Sequence, residues 1–259
     1  MLKFKYFLVF GLIFIAHLVA GVFYSGYSWW LVAGGILLLL LFLALACANI
    51  RWNFFIKATN RIPLSVQQLQ SGAMPVALTF DDGPHEHTPA ILDILAKYNV
   101  KATFFVIGKQ IPGNEAILKR IAEEGHLIGN HSYSHTGSLY ARSASAIRAD
   151  IAQCNRLIYD VSQQEPKLFR PPFGVTNPAL AKAVTQLDMS VVGWSVRSYD
   201  TMAKDEAKLL RKIMKGIRFN DIILLHDRCP ITVAILPRLI EAIQEKGMQF
   251  ALPELPTRA

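Results

Sequence analysis

The chain has 259 residues, enough for one domain with a full core plus an appendage. Its formal net charge is +8, but there is no dense Lys/Arg run and no basic stripe interleaved with aromatics, which argues against a nucleic-acid partner. Hydrophobic residues make up 52%, an excess concentrated at the N-terminal end, and the three isolated cysteines offer neither a disulfide framework nor a cysteine-ligated metal.

Phe7 to Phe23 is apolar apart from His17, and Trp29 to Ile50 is apolar with a Leu-rich centre. A membrane-spanning helix needs about 20 apolar residues. The second segment meets that length, the first approaches it, and residues 1–50 read as a transmembrane helical hairpin with spans at 7–23 and 29–50. The joint Tyr24-Ser25-Gly26-Tyr27-Ser28 is short, uncharged and turn-forming, and its tyrosines with Trp29-Trp30 suit an interfacial belt. His17 reads as a helix-packing residue. A signal peptide is the competing reading of the first segment, with Lys3 and Lys5 before the apolar stretch and cleavage near Ala20-Gly21. Even then the second segment remains as an anchor.

Lys3, Lys5, Arg51, Lys57 and Arg61 flank the hairpin and suit an anionic lipid surface as a partner. By the positive-inside rule they place both termini, and the domain that follows, on the cytoplasmic face of a bacterial inner membrane. The periplasmic or extracellular face is the alternative.

Residues 51–73 carry Pro63 and Ser71-Gly72 and read as a juxtamembrane linker to a domain at 74–257. From Met74 onward, short apolar runs alternate with amphipathic stretches. The spacing predicts strands at Val76–Phe80, Ala102–Ile107, Leu127–Asn130, Lys167–Arg170, Ser190–Val196, Asp221–Leu225 and Gln249–Leu252. Between them it predicts helices near Thr88–Tyr98, Asn114–Glu124, Ser143–Val161, Asn177–Leu187, Lys204–Ile217 and Ile231–Lys246. Gly125 and Gly247 terminate helices, and Asn177-Pro178 starts one. Strand–helix alternation implies an α/β fold with a parallel sheet, and seven strands with six helices fit an incomplete (β/α)7 barrel.

In such folds functional residues collect at the carboxyl ends of strands. Asp81 and Asp82 follow the first strand, His131 and His135 the third, Arg170 ends the fourth, Asp200 follows the fifth, and His226 and Asp227 the sixth. All fall on one rim. His131 and His135 sit four residues apart, a spacing that on a helical turn aims both imidazoles at one point. Two histidines plus one carboxylate leave an open position on a zinc-like metal for water. A neighbouring carboxylate can then act as general base, and His226, with an ordinary pKa of about 6.5, as the acid for a departing amine. His85, His87 and His126 read as loop or structural histidines, and Asp227 as a supporting or capping group.

Five motifs in order carry a family resemblance: Thr79-Phe80-Asp81-Asp82-Gly83-Pro84, His131-Ser132-Tyr133-Ser134-His135, Arg170-Pro171-Pro172-Phe173-Gly174, the Trp194–Thr201 segment, and Leu224-Leu225-His226. From about Met74 to Leu255 the chain resembles the NodB-homology polysaccharide deacetylases, carbohydrate esterase family 4. The resemblance implies Asp81 as base, Asp82, His131 and His135 as metal ligands, His226 as acid, and Arg170 as the residue orienting Asp81. It further implies an oxyanion donor in the Phe173 backbone N–H and an acyl-pocket wall in Leu225. The implied cofactor is one divalent metal, zinc, with cobalt, nickel and manganese as alternatives.

The fourth motif departs from the family pattern Asp-x-x-Asp-Trp, reading Arg197-Ser198-Tyr199-Asp200-Thr201. Asp200 keeps a supporting carboxylate, expected on Arg170 or His226. Arg197 and Thr201 replace an acid and an aromatic wall, leaving the substrate surface open. The implied reaction is hydrolysis of the N-acyl group, in the first instance N-acetyl, of a glycan or lipid-linked amino sugar. A deformylase or small-molecule amidase of the same superfamily is the alternative enzyme. The alternative of another class is a catalytically silent glycan- or lipid-binding membrane protein.

Overall fold

The computed structural model describes residues 2–64, 72 and 74–253. The chain begins with helices α1 (Leu2–Ser25) and α2 (Trp29–Ala48), both long and apolar enough to cross a membrane. They meet closely: a Cβ on Gly35 would lie 2.7 Å from Leu18 Cδ1. Their other faces leave Leu12, Phe23 and Trp30 exposed. Helix α2 stops two residues short of the expected Ile50, because Asn49 turns extended and its Oδ1 accepts the Arg51 N–H, starting a 3-10 turn over Ile50–Trp52.

Residues expected to form a linker are partly built into the sheet. Strand β1 (Ala58–Thr59) pairs with β6 (Ser190–Val192), and Arg61 bridges Asp221 with a 2.6 Å ion pair. Residues 65–71 and 73 of that linker, and 254–257 of the expected domain, lie outside the described residues.

The remaining strands are β2 (Pro75–Gly83), β3 (Thr103–Val106), β4 (Leu127–Asn130), β5 (Leu168–Phe169), β7 (Val196–Arg197), β8 (Ile222–His226) and β9 (Gln249–Phe250). Their order is β1-β6-β5-β4-β3-β2-β8-β7, every ladder parallel, with β9 beside the start of β2. Helices α3 (Thr88–Lys97), α4 (Glu115–Glu123), α5 (Ala144–Ser162), α6 (Pro178–Gln186), α7 (Glu206–Gly216) and α8 (Pro230–Glu245) connect them. This is the expected incomplete barrel: a curled parallel sheet in which, among the described residues, no ladder joins β1 to β7.

The stretch expected as one strand, Ser190–Val196, is two. Gly193 N–H donates to Thr59 O on one side, while Ser195 N–H donates to Ile222 O on the other, so the chain changes partners between them. Strand parity then sorts the side chains. Val76, Leu78 and Phe80 pack outward among helix residues such as Leu92, Leu95, Leu236 and Ile240, while Ala77, Thr79 and Asp81 face inward. Phe80 stacks on buried Phe104 at 5.1 Å between ring centroids. Phe104→Ala is expected to destabilise the protein by about 3–5 kcal/mol, measured as a lowered melting temperature of the detergent-solubilised chain.

Candidate active site

Strand β2 ends in a bulge, its register shifting between Asp81 and Gly83, and Asp82 takes a left-handed φ of 75°. Consecutive carboxylates therefore reach different partners. Gly83 tolerates no side chain here, since a Cβ would lie 2.0 Å from Asp227 Oδ2.

Asp81 Oδ1 accepts a 2.7 Å bond from Arg170 Nη1, which also donates to Thr79 Oγ1 at 2.8 Å. Arg170 Nη2 donates to Gly193 O at 2.7 Å and Nε to Val192 O at 3.2 Å, with the guanidinium 4.1 Å from the Phe105 ring centroid. The side chain is wholly buried, and these partners replace its hydration.

His131 and His135 lie on a tight irregular loop after β4 and not on the expected helical turn, with Ser132 and His135 both at positive φ. Asp150 Oδ1 accepts the Tyr133 and Ser134 N–H groups, and Ser132 Oγ accepts the His135 N–H. That loop brings the two rings to 4.8 Å between centroids. The Arg170 carbonyl lies 2.7 Å from His131 Nδ1 and can only accept, so Nδ1 carries the proton and Nε2 is left as a lone-pair donor. Asp82 Oδ1 lies 3.3 Å from His135 Nε2 and 3.7 Å from His131 Nε2.

The ligating atoms of Asp82, His131 and His135 all fall within 4.8 Å of one another, a convergence that fits a divalent cation. Burial, and secondarily His131, pushes His135 down to about 4, which keeps it neutral as ligation requires. Burial alone would raise the Asp82 carboxyl, but His131, Arg228, His226 and His135 together hold it below its ordinary value. Arg228 was not anticipated from the sequence: its Nε donates to Asp82 Oδ2 at 2.8 Å, steering Oδ1 toward the histidines. Only its place two residues after His226 hinted at such a role.

Across the cavity, Asp200 supports His226 and not Arg170. Its Oδ1 lies 2.8 Å from His226 Nδ1, and its Oδ2 accepts the His226 N–H and the Thr232 hydroxyl, each at 2.7 Å. Burial opposes a charged His226, but the Asp200 hydrogen bond and charge outweigh it and the imidazole pKa is raised. Phe173, at φ 58°, places its exposed ring 4.8 Å from His135.

Leu225 is not where it was expected. Its odd position on β8 points it, with Ile223, into the helix-facing core, whereas Leu224 shares the inward face with His226 and lines the cavity of about 160 Å3 beside Asp81 and Trp194. Among the other residues, His126 is buried and lowered to about 4 by burial. Asp227 is buried and raised to about 7 by burial, its Oδ2 accepting the Thr88 hydroxyl at 2.6 Å. His85 and His87 sit in the loop after Pro84, outside the cavity.

The sequence profile of the polysaccharide deacetylases matches residues 69–192. A chitooligosaccharide deacetylase of Sinorhizobium fredii is 31% identical over 207 residues, 74% of this chain and 95% of that protein. The chain belongs to the polysaccharide deacetylase family. A peptidoglycan-N-acetylglucosamine deacetylase of Listeria monocytogenes is 34% identical over 68% of this deacetylase-family chain, which spans 37% of the Listeria protein's length. Among solved structures, a Bacillus anthracis pseudoenzyme of carbohydrate esterase family 4 superposes with a TM-score of 0.65 at 30% identity, covering 69% of this chain and 63% of that one. One relative is named a pseudoenzyme, so membership of the polysaccharide deacetylase family and catalysis are separable.

His131→Ala and His135→Ala are each expected to weaken zinc binding by at least about 100-fold, the upper end of what an outer-shell change costs. His85→Ala and His87→Ala should leave it intact, as read by isothermal titration with metal content as a check.

Proposed function

We propose that the protein is a metal-dependent amidohydrolase that removes the N-acyl group, in the first instance N-acetyl, from an amino sugar in a glycan or a lipid-linked precursor. The observation that carries this is the grouping around one cavity of a three-ligand metal site, a carboxylate held by a buried arginine, and a histidine backed by a carboxylate. A site that only binds needs no such set of nucleophile, base and acid.

A divalent ion, zinc by its ligand set, would be held by Asp82, His131 and His135 and would supply Lewis-acid polarisation and water activation. Asp81 takes a proton from the attacking water; its Oδ1 is bonded to Arg170, while Oδ2 lies 3.7 Å from His131 Nε2 on the metal-site side. As the C–N bond breaks, His226 Nε2 donates a proton to the amine, giving a carboxylic acid and a free amine. Asp200 holds the His226 Nδ1–H, which orients the ring and stabilises its cationic form. The Phe173 N–H donates to the developing oxyanion, and Leu224 borders the acyl group.

Domain organisation follows the same reading: a membrane hairpin at 1–50, a junction at 51–73, and a catalytic domain at 74–257. The charge bias of Lys3, Lys5, Arg51, Lys57 and Arg61 against the uncharged Tyr24–Ser28 joint supports a cytoplasmic face for that domain. A C-terminal reporter active only in the periplasm would reject that orientation.

Asp81→Asn should lower acetate release from N-acetylglucosamine oligomers by about 10²–10⁴-fold, the range of a lost general base, with the metal retained. No turnover by the metal-loaded wild type on acetylated or formylated amino sugars would reject the deacylase reading. Asp200→Asn tests His226. The acid works only while protonated, so activity falls as pH rises through the His226 pKa. That pKa is raised by Asp200, so removing its charge should move the alkaline limb of the kcat/KM profile to lower pH.

A further inference from the structure

A second cleft, of about 190 Å3, is walled by Ala48, Asn49, Ile50 and Arg51 from the end of the hairpin and by Trp194, Arg197 and Tyr199 from the barrel. Those three barrel residues also line the catalytic cavity, so the two clefts are contiguous. The junction is held in place. Thr176 N–H donates to Cys47 O at 2.8 Å, and Ile50 packs in one buried cluster with Trp194 and Leu224. The last turn of α2 is thereby fixed at the mouth of the active site. Lys3 Nζ donates to Trp52 O at 3.1 Å, and half-exposed Trp52 marks the same interfacial depth.

Arg51 and Arg197 both face this cleft, and among the described residues neither has a carboxylate partner. Arg197 is braced over the Tyr199 ring at 4.8 Å and the Trp194 ring at 5.8 Å. Two guanidiniums with no ion-pair partner among the described residues, beside that cavity, are poorly matched to a neutral glycan and well matched to a phosphate, which they can bind bidentately. Along the hairpin below, Phe7, Leu8, Leu12, Leu39, Leu40 and Leu43 line an almost wholly apolar groove of about 240 Å3 between α1 and α2. Polar cleft and apolar groove thus lie at the same end of the hairpin.

We propose that the substrate is an N-acyl amino sugar joined through phosphate to a long-chain membrane lipid. Arg51 and Arg197 hold the phosphate, the lipid lies against α1 and α2, and the sugar reaches into the catalytic cavity. This rests on the deacylase reading above and narrows its substrate class.

The test uses the full chain, zinc-loaded, in lipid nanodiscs, with three probes: N-acetylglucosaminyl phosphoryl polyprenol, N-acetylglucosamine 1-phosphate, and an uncharged long-chain alkyl N-acetylglucosaminide. Binding is read by intrinsic tryptophan fluorescence and turnover by acetate release. The phosphoryl polyprenol should bind at least about tenfold more tightly than either other probe. Arg51→Gln and Arg197→Gln should each weaken that binding about tenfold or more, as loss of a charge-assisted hydrogen bond would, acting on KM more than kcat. Arg51→Lys and Arg197→Lys should recover part of it. Equal binding of the uncharged glycoside overturns the phosphate site, and equal binding of the soluble sugar phosphate overturns the lipid as its source. Tight binding of the phosphoryl polyprenol with no deacylation of either its N-acetyl or its N-formyl form supports the site while rejecting the deacylase reading. Acetate release with no preference among probes does the reverse.

Discussion

A charged guanidinium with no solvent exposure sits at the centre of this barrel. Burying Arg170 is costly unless its donors are met, and breaking such a buried pair by removing one partner typically costs 3–5 kcal/mol. Its contacts reach β2 through Thr79 and Asp81 and the β6 end through Val192 and Gly193, while its own carbonyl takes the His131 Nδ1–H. One residue thereby ties Asp81, His131 and the point where β6 gives way to β7. The strand break belongs to this arrangement, since Gly193 O is committed to Arg170 while its N–H is committed to Thr59.

Around that anchor, neighbouring ionisable groups are driven to different tasks by different surroundings. Asp81 and Asp82 are adjacent in sequence, yet the bulge at the end of β2 hands one to Arg170 and the other to the two histidines. His135 is kept neutral by burial, whereas His226 is biased toward its cation by Asp200 despite similar burial. Two histidines beside one cavity are thus pushed in opposite directions by their surroundings, the pattern in which environment separates the roles of like groups.

One departure from the family pattern, Arg197, lies on the side of the cavity that meets the hairpin. Arg197 and Tyr199 stand between the catalytic cleft and the end of α2, and β1 stitches the post-hairpin segment into the sheet. The two apolar helices and the rim of the cavity are consequently parts of one packed structure, joined by Ile50 and the Cys47–Thr176 backbone bond.

The sequence by itself determined the two apolar helices, the order of strands and helices, and the rim on which Asp81, Asp82, His131, His135, Arg170, Asp200 and His226 gather. Hydrophobic periodicity and strand-end position carry that information locally, along the chain. Only the tertiary structure decided that Asp200 serves His226, that Arg228 claims one oxygen of Asp82, and that Leu224, by parity on β8, lines the cavity in place of Leu225. It alone divided Ser190–Val196 into two strands and set Arg51 beside Arg197. Those outcomes depend on which groups the curled sheet brings together across long sequence separations, and on which buried polar atoms remain to be paired. No local pattern encodes either.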